Sequence, residues 1–583
     1  MGDYFYLMRI SIRHLLIPLA LFTLSGCEDA PEKPIVVEEI PELYGTFSST
    51  LTPSDTIKLN SIIERHFANF QLDTNVFFDS HERLTQEQVF EFYKSRSYRP
   101  IWINSFLSDS ANASMANLNI HGLSASDYNW EEIEEKKNKL LLTESKGQLE
   151  AFSDYELRLT HAFLKIGNHL TYGKLDPSEY HYSWNLPKTI VDVENQDQLA
   201  KSLEKQSTED YLANREPDNV YYRNLSKHLS RYSEYANGNS WSDINFSQFE
   251  QRKLEPGNID PIVPDLRKRL FAEGYIDSVQ LEKTDSLYKN EIVDAVKEYQ
   301  RLHGLNNDGV IGKRTLASFN VSAEERLSQI IINLERLKWF VGNLKDDYIL
   351  VNVAQYELYA HLNNETWASH VIVGKNSTKT PMFTANMKYV VFNPVWTQPY
   401  SIASKETLPH LKEDSLYLQK HNMIILDHDR NEVDPSGIDW NQFTQKTFPY
   451  VVRQLPGNTN SLGRIKFLFP NDHYIYLHDT PSRNLFRTDG RSYSHGCIRL
   501  NNPKELARRI LNDSIHWNMD SIQATLDSLE TVTVALEKQF PVYIIYASAF
   551  SNTEGEVFFF NDSYKFDEAM RNSLTPSLWV KKD

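Results

Sequence analysis

The chain has 583 residues and 2 cysteines. One of them, Cys497, sits in the run "RSYSHGCIRLNN" (491–502). A cysteine acts as a nucleophile when a nearby base or positive charge raises its thiolate fraction, and two histidines are candidates. His495 lies two residues upstream, so in an extended segment it projects to the same side as the thiol. His478 ends "HYIYLH", an alternating segment in which Tyr474, Tyr476 and His478 share one face. Gly496 lets the backbone come close to a substrate. The N–H groups of Gly496 and Cys497 are expected to face a developing oxyanion, as acyl transfer requires. Arg499 continues the same face and suits bidentate capture of a substrate carboxylate.

Between the two histidines, distance decides. Strand neighbours two residues apart stand about 6–7 Å from each other, beyond the hydrogen-bond reach of about 3 Å unless the chain bends at Gly496. A residue on another strand can approach within about 5 Å. His478 is therefore expected to be the base and to lower the pKa of the thiol. A zinc site built from His478, His495 and Cys497 lacks a second cysteine or an HxxEH partner. The loop "DHDRNEVDPSG" (427–437) offers Glu432 where a calcium loop needs glycine and Ile438 where it needs glutamate. No metal is expected.

A lone HGC would be weak evidence among 18 histidines, but the run "IYLHDTPSRNLFRTDGRSYSHGCIRL" is specific, with 19 residues from His478 to Cys497. It resembles the signature of the L,D-transpeptidase catalytic domain, the YkuD-type fold. "RQLPGNTNSLGRIKFLFPN" (453–471), "PVYIIYASAF" and "VFFFNDSYKFDE" also resemble the large Gram-negative branch of that family. The resemblance implies Cys497 as nucleophile, His478 as general base and acid, and Ser494, His495 and Gly496 as the segment shaping the thiol and oxyanion site. It implies Arg499 as a substrate-positioning group. The reaction implied is attack on a tetrapeptide stem of peptidoglycan, release of the terminal D-alanine, and transfer of the thioester to an amine of a second stem. It needs no cofactor, and carbapenems are expected to acylate Cys497. Two rivals use the same residues or none of them: an L,D-carboxypeptidase with water as acceptor, and a non-catalytic wall-binding lipoprotein.

The other cysteine has a different setting. Arg9 and Arg13 precede the apolar run "LLIPLALFTL", and "LSGC" then resembles a bacterial lipobox ending at Cys27. The apolar run is too short to span a bilayer, which takes about 20 residues, and reads as a signal peptide. Lipidation of Cys27 would anchor the chain to a membrane facing the periplasm. Cys497 would then be the sole remaining thiol, unable to form an internal disulfide. A net charge of −17 argues against a nucleic-acid partner, which needs a basic face.

These residues need a framework to hold them. With 40% hydrophobic and 24% charged residues, the composition is globular, and the length calls for several domains. The pattern predicts a signal peptide over 1–27, an acid- and proline-rich tether over 28–42 and a helical scaffold over 43–258. "YELRLTHAFLKIGNHL" places Leu157, Leu159, Ala162, Phe163, Ile166 and Leu170 mostly along one helical stripe. Residues 259–321, with "VKEYQRLHGLNNDGVIGKRT", resemble a small three-helix peptidoglycan-binding domain. A connecting helix follows over 322–344, with Ser322 and Glu325 as a capping box. Alternating segments such as "YILVNVAQYELYAHL" then predict a mainly β catalytic domain over 345–550. It carries a polar, partly helical insertion at about 400–455, and residues 551–583 read as a C-terminal extension.

Overall fold

The computed structural model describes residues 52–574 apart from 69–79, 103–104, 143–146, 181–193, 239–240, 242–243, 245–252, 342–343, 345 and 514. The expected signal peptide, Cys27 and the tether lie outside the described residues, as do the last nine positions of the expected extension. No helix among the described residues is long and apolar enough to cross a membrane.

The helix Gln148–Tyr172 is the axis of the scaffold. All six residues of the predicted stripe are buried, in one core with side chains from Pro53–Phe67, Ser80–Ser95, Trp130–Leu142, Asn195–Glu204 and Thr208–Arg215. Because neighbours cover it on several sides, this helix also buries polar residues, and these need partners inside the protein. Glu156 accepts hydrogen bonds from the amides of Ile101 (2.6 Å) and Trp102 (3.0 Å) and from the Tyr93 hydroxyl (3.1 Å). The predicted scaffold boundary hides a division. Tyr221, Tyr222, Leu225, Leu229 and Tyr232, on helices Val220–Ser226 and Leu229–Asn237, belong to the catalytic core instead.

Helices Val263–Ala272, Asn290–Leu302 and Lys313–Phe319 enclose a small separate core around Leu266, Val296, Tyr299 and Leu316. The "DG" turn of the motif is structural. Gln300 accepts from the Gly309 amide (2.8 Å) and donates to the Val310 carbonyl (3.0 Å). Helix Ala323–Val341 then starts as expected, with Ser322 and Glu325 exchanging side-chain-to-amide hydrogen bonds of 3.1 Å.

The β domain contains β1 (Tyr348–Asn352), β2 (Glu357–Leu362), β3 (Glu365–Gly374), β4 (Phe383–Phe392), β5 (Trp396–Thr397), β6 (Met423–Leu426), β7 (Glu432–Val433), β8 (Val451–Gln454), β9 (Ile465–Leu468), β10 (Leu477–His478), β11 (Ser492–Ser494), β12 (Ile498–Leu500) and β13 (Val532–Ile545). The main sheet runs β11-β3-β12-β10-β9-β4-β13-β1-β2, and pairing of β2 back onto β3 closes it into a ring. Closure leaves few exposed strand edges, and the apolar faces of β1, β3, β4 and β13 fill the interior.

The insertion forms a small subdomain, as expected, and adds a sheet to its helical part. Helical segments over 400–420 pack on a four-stranded sheet, β5-β8-β6-β7, with a core of its own around Leu408, Leu411, Ile425, Phe448 and Val452. Residues read as a C-terminal extension are also built into the catalytic body. The hairpin of β14 (Ala549–Ser551) and β15 (Val557–Phe559) and the helix Asp567–Leu574 join the main core. Asp567 pairs with Arg336 of the connecting helix at 2.5 Å, both buried. The continuous apolar run "VFFF" carried that signal, but tertiary pairing was needed to read it.

Candidate active site

β9, β10 and β12 lie side by side, with β10 antiparallel to β9 and parallel to β12. The register places Lys466, His478 and Arg499 in one cross-strand row. The Ile498 amide donates to the Tyr476 carbonyl at 3.1 Å, so one step along the same face Tyr476 lies beside Cys497. His478 is thus the thiol's diagonal neighbour; the residue directly across is Tyr476. The rings of Tyr476 and His478 lie 5.6 Å apart, and Lys466 Nζ sits 3.8 Å from the Tyr476 ring centre.

Burial sets the charge states. His478 is 5% exposed. Loss of water, with Arg499 and then Lys466 close by, pushes its pKa down to about 3, against the opposing pull of the Asp479 and Leu462 carbonyls. Its Nδ1 lies 2.5 Å from the Asp479 carbonyl, which fixes the ring as a neutral donor there. Burial likewise pushes the Cys497 thiol above its ordinary pKa, while Tyr476, Lys466 and Arg499 pull it partway back. The resting pair is therefore a neutral thiol and a neutral imidazole. The cations belong to Lys466 and Arg499, whose own pKa values burial lowers. Arg499 has no ion pair among the described residues, and its Nε is buried without a partner.

Three expectations need correction. His495 does not share the thiol's side. Gly496 adopts φ +122°, which a residue with a Cβ rarely adopts, and this bend turns His495 outward. Its Nε2 lies 2.8 Å from Glu406 on the helical segment Ala403–Thr407 of the insertion. The Gly496 N–H is not available to an oxyanion either. It donates to Ser494 Oγ at 3.1 Å, and the same hydroxyl donates to the Cys497 carbonyl at 2.6 Å. Ser494 is a brace across the turn, and of the two amides only that of Cys497 remains for an oxyanion. Tyr474 is not on the strand face. Its φ of +56° takes it out of the alternation and leaves it 85% exposed, with its carbonyl 3.8 Å from Cys497 Sγ.

Lys466 was not singled out by sequence reasoning. Its signal is only a lysine between apolar positions of "RIKFLF", and the strand pairing decides where it lands. Among the described residues no group of three His, Cys, Asp or Glu is placed to hold a metal ion. The site can bind an anionic group at Arg499 and Lys466, and it can exchange a proton between thiol, imidazole and an incoming amine.

Comparison with known proteins gives the same arrangement of domains. Residues 87–229 match the family described as "Scaffold domain", and residues 260–318 the family described as "Putative peptidoglycan binding domain". Residues 346–544 match "L,D-transpeptidase catalytic domain". A curated protein of Haemophilus influenzae named "Putative L,D-transpeptidase" is 33% identical over 284 residues, which are 48% of this chain and 56% of that protein. The chain thus spans about half the length of that relative. A crystal structure of an L,D-transpeptidase from Xylanimonas cellulosilytica aligns at 14% identity over 50% of this chain and 98% of its own, with a TM-score of 0.17. Residues 346–544 thus match the L,D-transpeptidase catalytic domain, behind stretches that match a scaffold domain and a peptidoglycan-binding domain.

Proposed function

We propose that the chain cross-links peptidoglycan between the third residues of stem peptides by cysteine-dependent acyl transfer. The observation that carries this reading is Cys497 placed beside Tyr476 and within one row of His478, Lys466 and Arg499. Diagonal neighbours on adjacent strands, about 7–8 Å apart along the backbone, are within reach of side chains as long as an imidazole. The thiol gives its proton to the His478 imidazole as sulfur adds to the carbonyl carbon before the terminal D-alanine. The carbonyl electron pair moves to oxygen, next to the Cys497 amide. When the pair returns, the C–N bond breaks and the D-alanine amine leaves with the proton from His478. The amine of a second stem attacks the thioester, His478 takes the amine's proton, and the thiol is regenerated. Arg499 and Lys466 hold the donor's carboxylate. A neutral imidazole suits this cycle, since it begins by accepting a proton.

Incubating the full chain with disaccharide-tetrapeptide donors and resolving the products by mass spectrometry tests the reading. Cross-linked dimers and free D-alanine are expected from the wild type, as is a carbapenem adduct on Cys497. Cys497→Ser and His478→Ala should each lose at least about 10³-fold in turnover. Hydrolysed tripeptides without dimers would instead make it a carboxypeptidase, and turnover by Cys497→Ser would end the thioester scheme. The leader motif further supports export and lipid anchoring through Cys27. Labelled palmitate should enter the wild type and not Cys27→Ala, and equal labelling of both refutes the anchor.

A further inference from the structure

The loop between β3 and β4, "GKNSTKTP" (374–381), grips the nucleophile turn from below. The Lys375 amide and the Thr378 hydroxyl both donate to the Ser494 carbonyl, each at 3.0 Å. The Thr380 hydroxyl donates to the Gly496 carbonyl at 2.7 Å and accepts from the Gly374 amide at 2.9 Å. Thr380 is almost fully buried, so no water can take over these bonds. The loop is tight enough that a Cβ at Gly374 would lie 2.0 Å from the Thr378 carbonyl.

Tyr564, from the segment after β15, holds this loop in turn. Its hydroxyl donates to the Gly374 carbonyl at 2.5 Å and accepts from the Thr380 amide at 3.2 Å. Its own carbonyl takes the Lys379 ammonium at 2.7 Å, and its ring stacks on Tyr546 at 5.3 Å. A continuous run of hydrogen bonds thus joins the C-terminal part of the chain to the residue before the thiol.

The Gly496 carbonyl and the Cys497 N–H belong to one peptide unit, which is planar and trans. Fixing the carbonyl oxygen therefore fixes the opposite direction in which the N–H points. Glycine is the residue with the freest backbone, so without a restraint this unit would rotate. The Gly496 amide is already spent on Ser494. We propose that Thr380, backed by Tyr564, is a positioning residue that aims the Cys497 N–H at the oxyanion formed during acyl transfer. This rests on the proposal that Cys497 is the nucleophile.

Two reactions of the same thiol separate this role from a merely structural one. Acylation by a tetrapeptide stem passes through an oxyanion, whereas alkylation by iodoacetamide displaces iodide and forms none. In Thr380→Val, which removes the hydroxyl at nearly constant shape, the acylation rate by a disaccharide-tetrapeptide should fall about 10- to 100-fold, somewhat less than outright loss of an oxyanion donor. KM and the rate and pH profile of iodoacetamide alkylation, read at the Cys497 peptide by mass spectrometry, should stay at wild-type values. Thr380→Ser should restore acylation. Tyr564→Phe keeps the ring and loses only the hydroxyl, so it provides the test even if Thr380→Val does not fold; a loss of about 3- to 10-fold in acylation alone is expected. Wild-type acylation in both variants, or an equal fall in alkylation, overturns the inference. A Cys497→Ala control separates the two claims, because acyl transfer that survives there removes the nucleophile itself.

Discussion

Glu156 in the scaffold and Cys497 in the β domain are both ionisable groups withdrawn from water, yet they are treated in opposite ways. Three donors meet Glu156 inside the protein, and these bonds tie the 101–102 loop to the central helix. Elsewhere the buried ions Arg269 and Glu273 satisfy each other at 2.6 Å. Around Cys497 the nearby cations lack any such match: neither Lys466 nor Arg499 has a carboxylate partner among the described residues, and the Arg499 Nε is buried unpaired. Burying a charge without a partner is costly, so a fold keeps such an arrangement where the partner arrives from outside. A buried charge met by the chain's own groups reads as structure, and one left unmet reads as a binding site.

The largest effect that tests this contrast is expected in the scaffold, on stability alone. Glu156→Ala strands the buried Trp102 amide and the part-buried Ile101 amide, at up to about 1–3 kcal/mol each, so a loss of about 2–5 kcal/mol is expected by chemical denaturation, with turnover of the folded protein unchanged. Burial holds the Glu156 carboxyl up at about 7, above its ordinary range near 4. The folded state then favours the protonated form, so its stabilisation is full in acid and fades as pH rises from about 4.5 through about 7. The wild-type Tm should fall across that window, and Glu156→Gln should flatten the slope. If Glu156→Ala lowers turnover of folded protein as much as it lowers stability, the scaffold is not purely structural and the contrast fails.

The second effect belongs to the catalytic domain and should spare stability. Arg499→Gln removes a charge-assisted contact worth about 1.5–3 kcal/mol, so KM for a tetrapeptide donor should rise about 10- to 100-fold. The Lys466→Met change should raise KM less. Both cations pull the thiol pKa down, so each variant should move Cys497 alkylation to higher pH. A cation that is also costly to bury should, when removed, leave Tm level or raise it. A marked drop in Tm for either variant would place these residues on the structural side of the comparison.

Sequence carried the chemistry of this site further than its geometry. Motif spacing was enough to single out Cys497, His478 and Arg499, and strand register sets them on neighbouring positions of one face. The helical stripe of 148–172 and the capping box at Ser322 were legible because helix neighbours lie three or four residues apart. Lys466 and Tyr476 were not assigned to the thiol, since their position depends on which strands pair and in which direction. Ser494 and Gly496 read from the sequence as shaping the site, and in the structure they form the turn before the thiol. That the Gly496 amide is consumed by Ser494 depends on a turn conformation that residue types leave open. Residues 551–574 read as an extension because their partners, Gln329 for the Phe560 carbonyl and Arg336 for Asp567, lie more than 200 residues earlier.

The smallest effect lies where the two treatments of charge meet, at the rim of the site. His495 and Glu406 form a 2.8 Å contact between the nucleophile turn and the insertion, with both side chains well exposed. Exposed pairs contribute about 0–1 kcal/mol, and this one is an ion pair only while His495 is protonated. Glu406→Gln should therefore leave Tm within measurement error and change kcat less than about fivefold. Whatever change occurs should shrink in high salt. Unlike Lys466 and Arg499, His495 already has an acidic partner, so by the same argument it should not bind the donor. A rise in KM in His495→Gln as large as that in Arg499→Gln would show that a paired, exposed group can serve as a substrate site, and would break the rule drawn from Glu156 and Cys497.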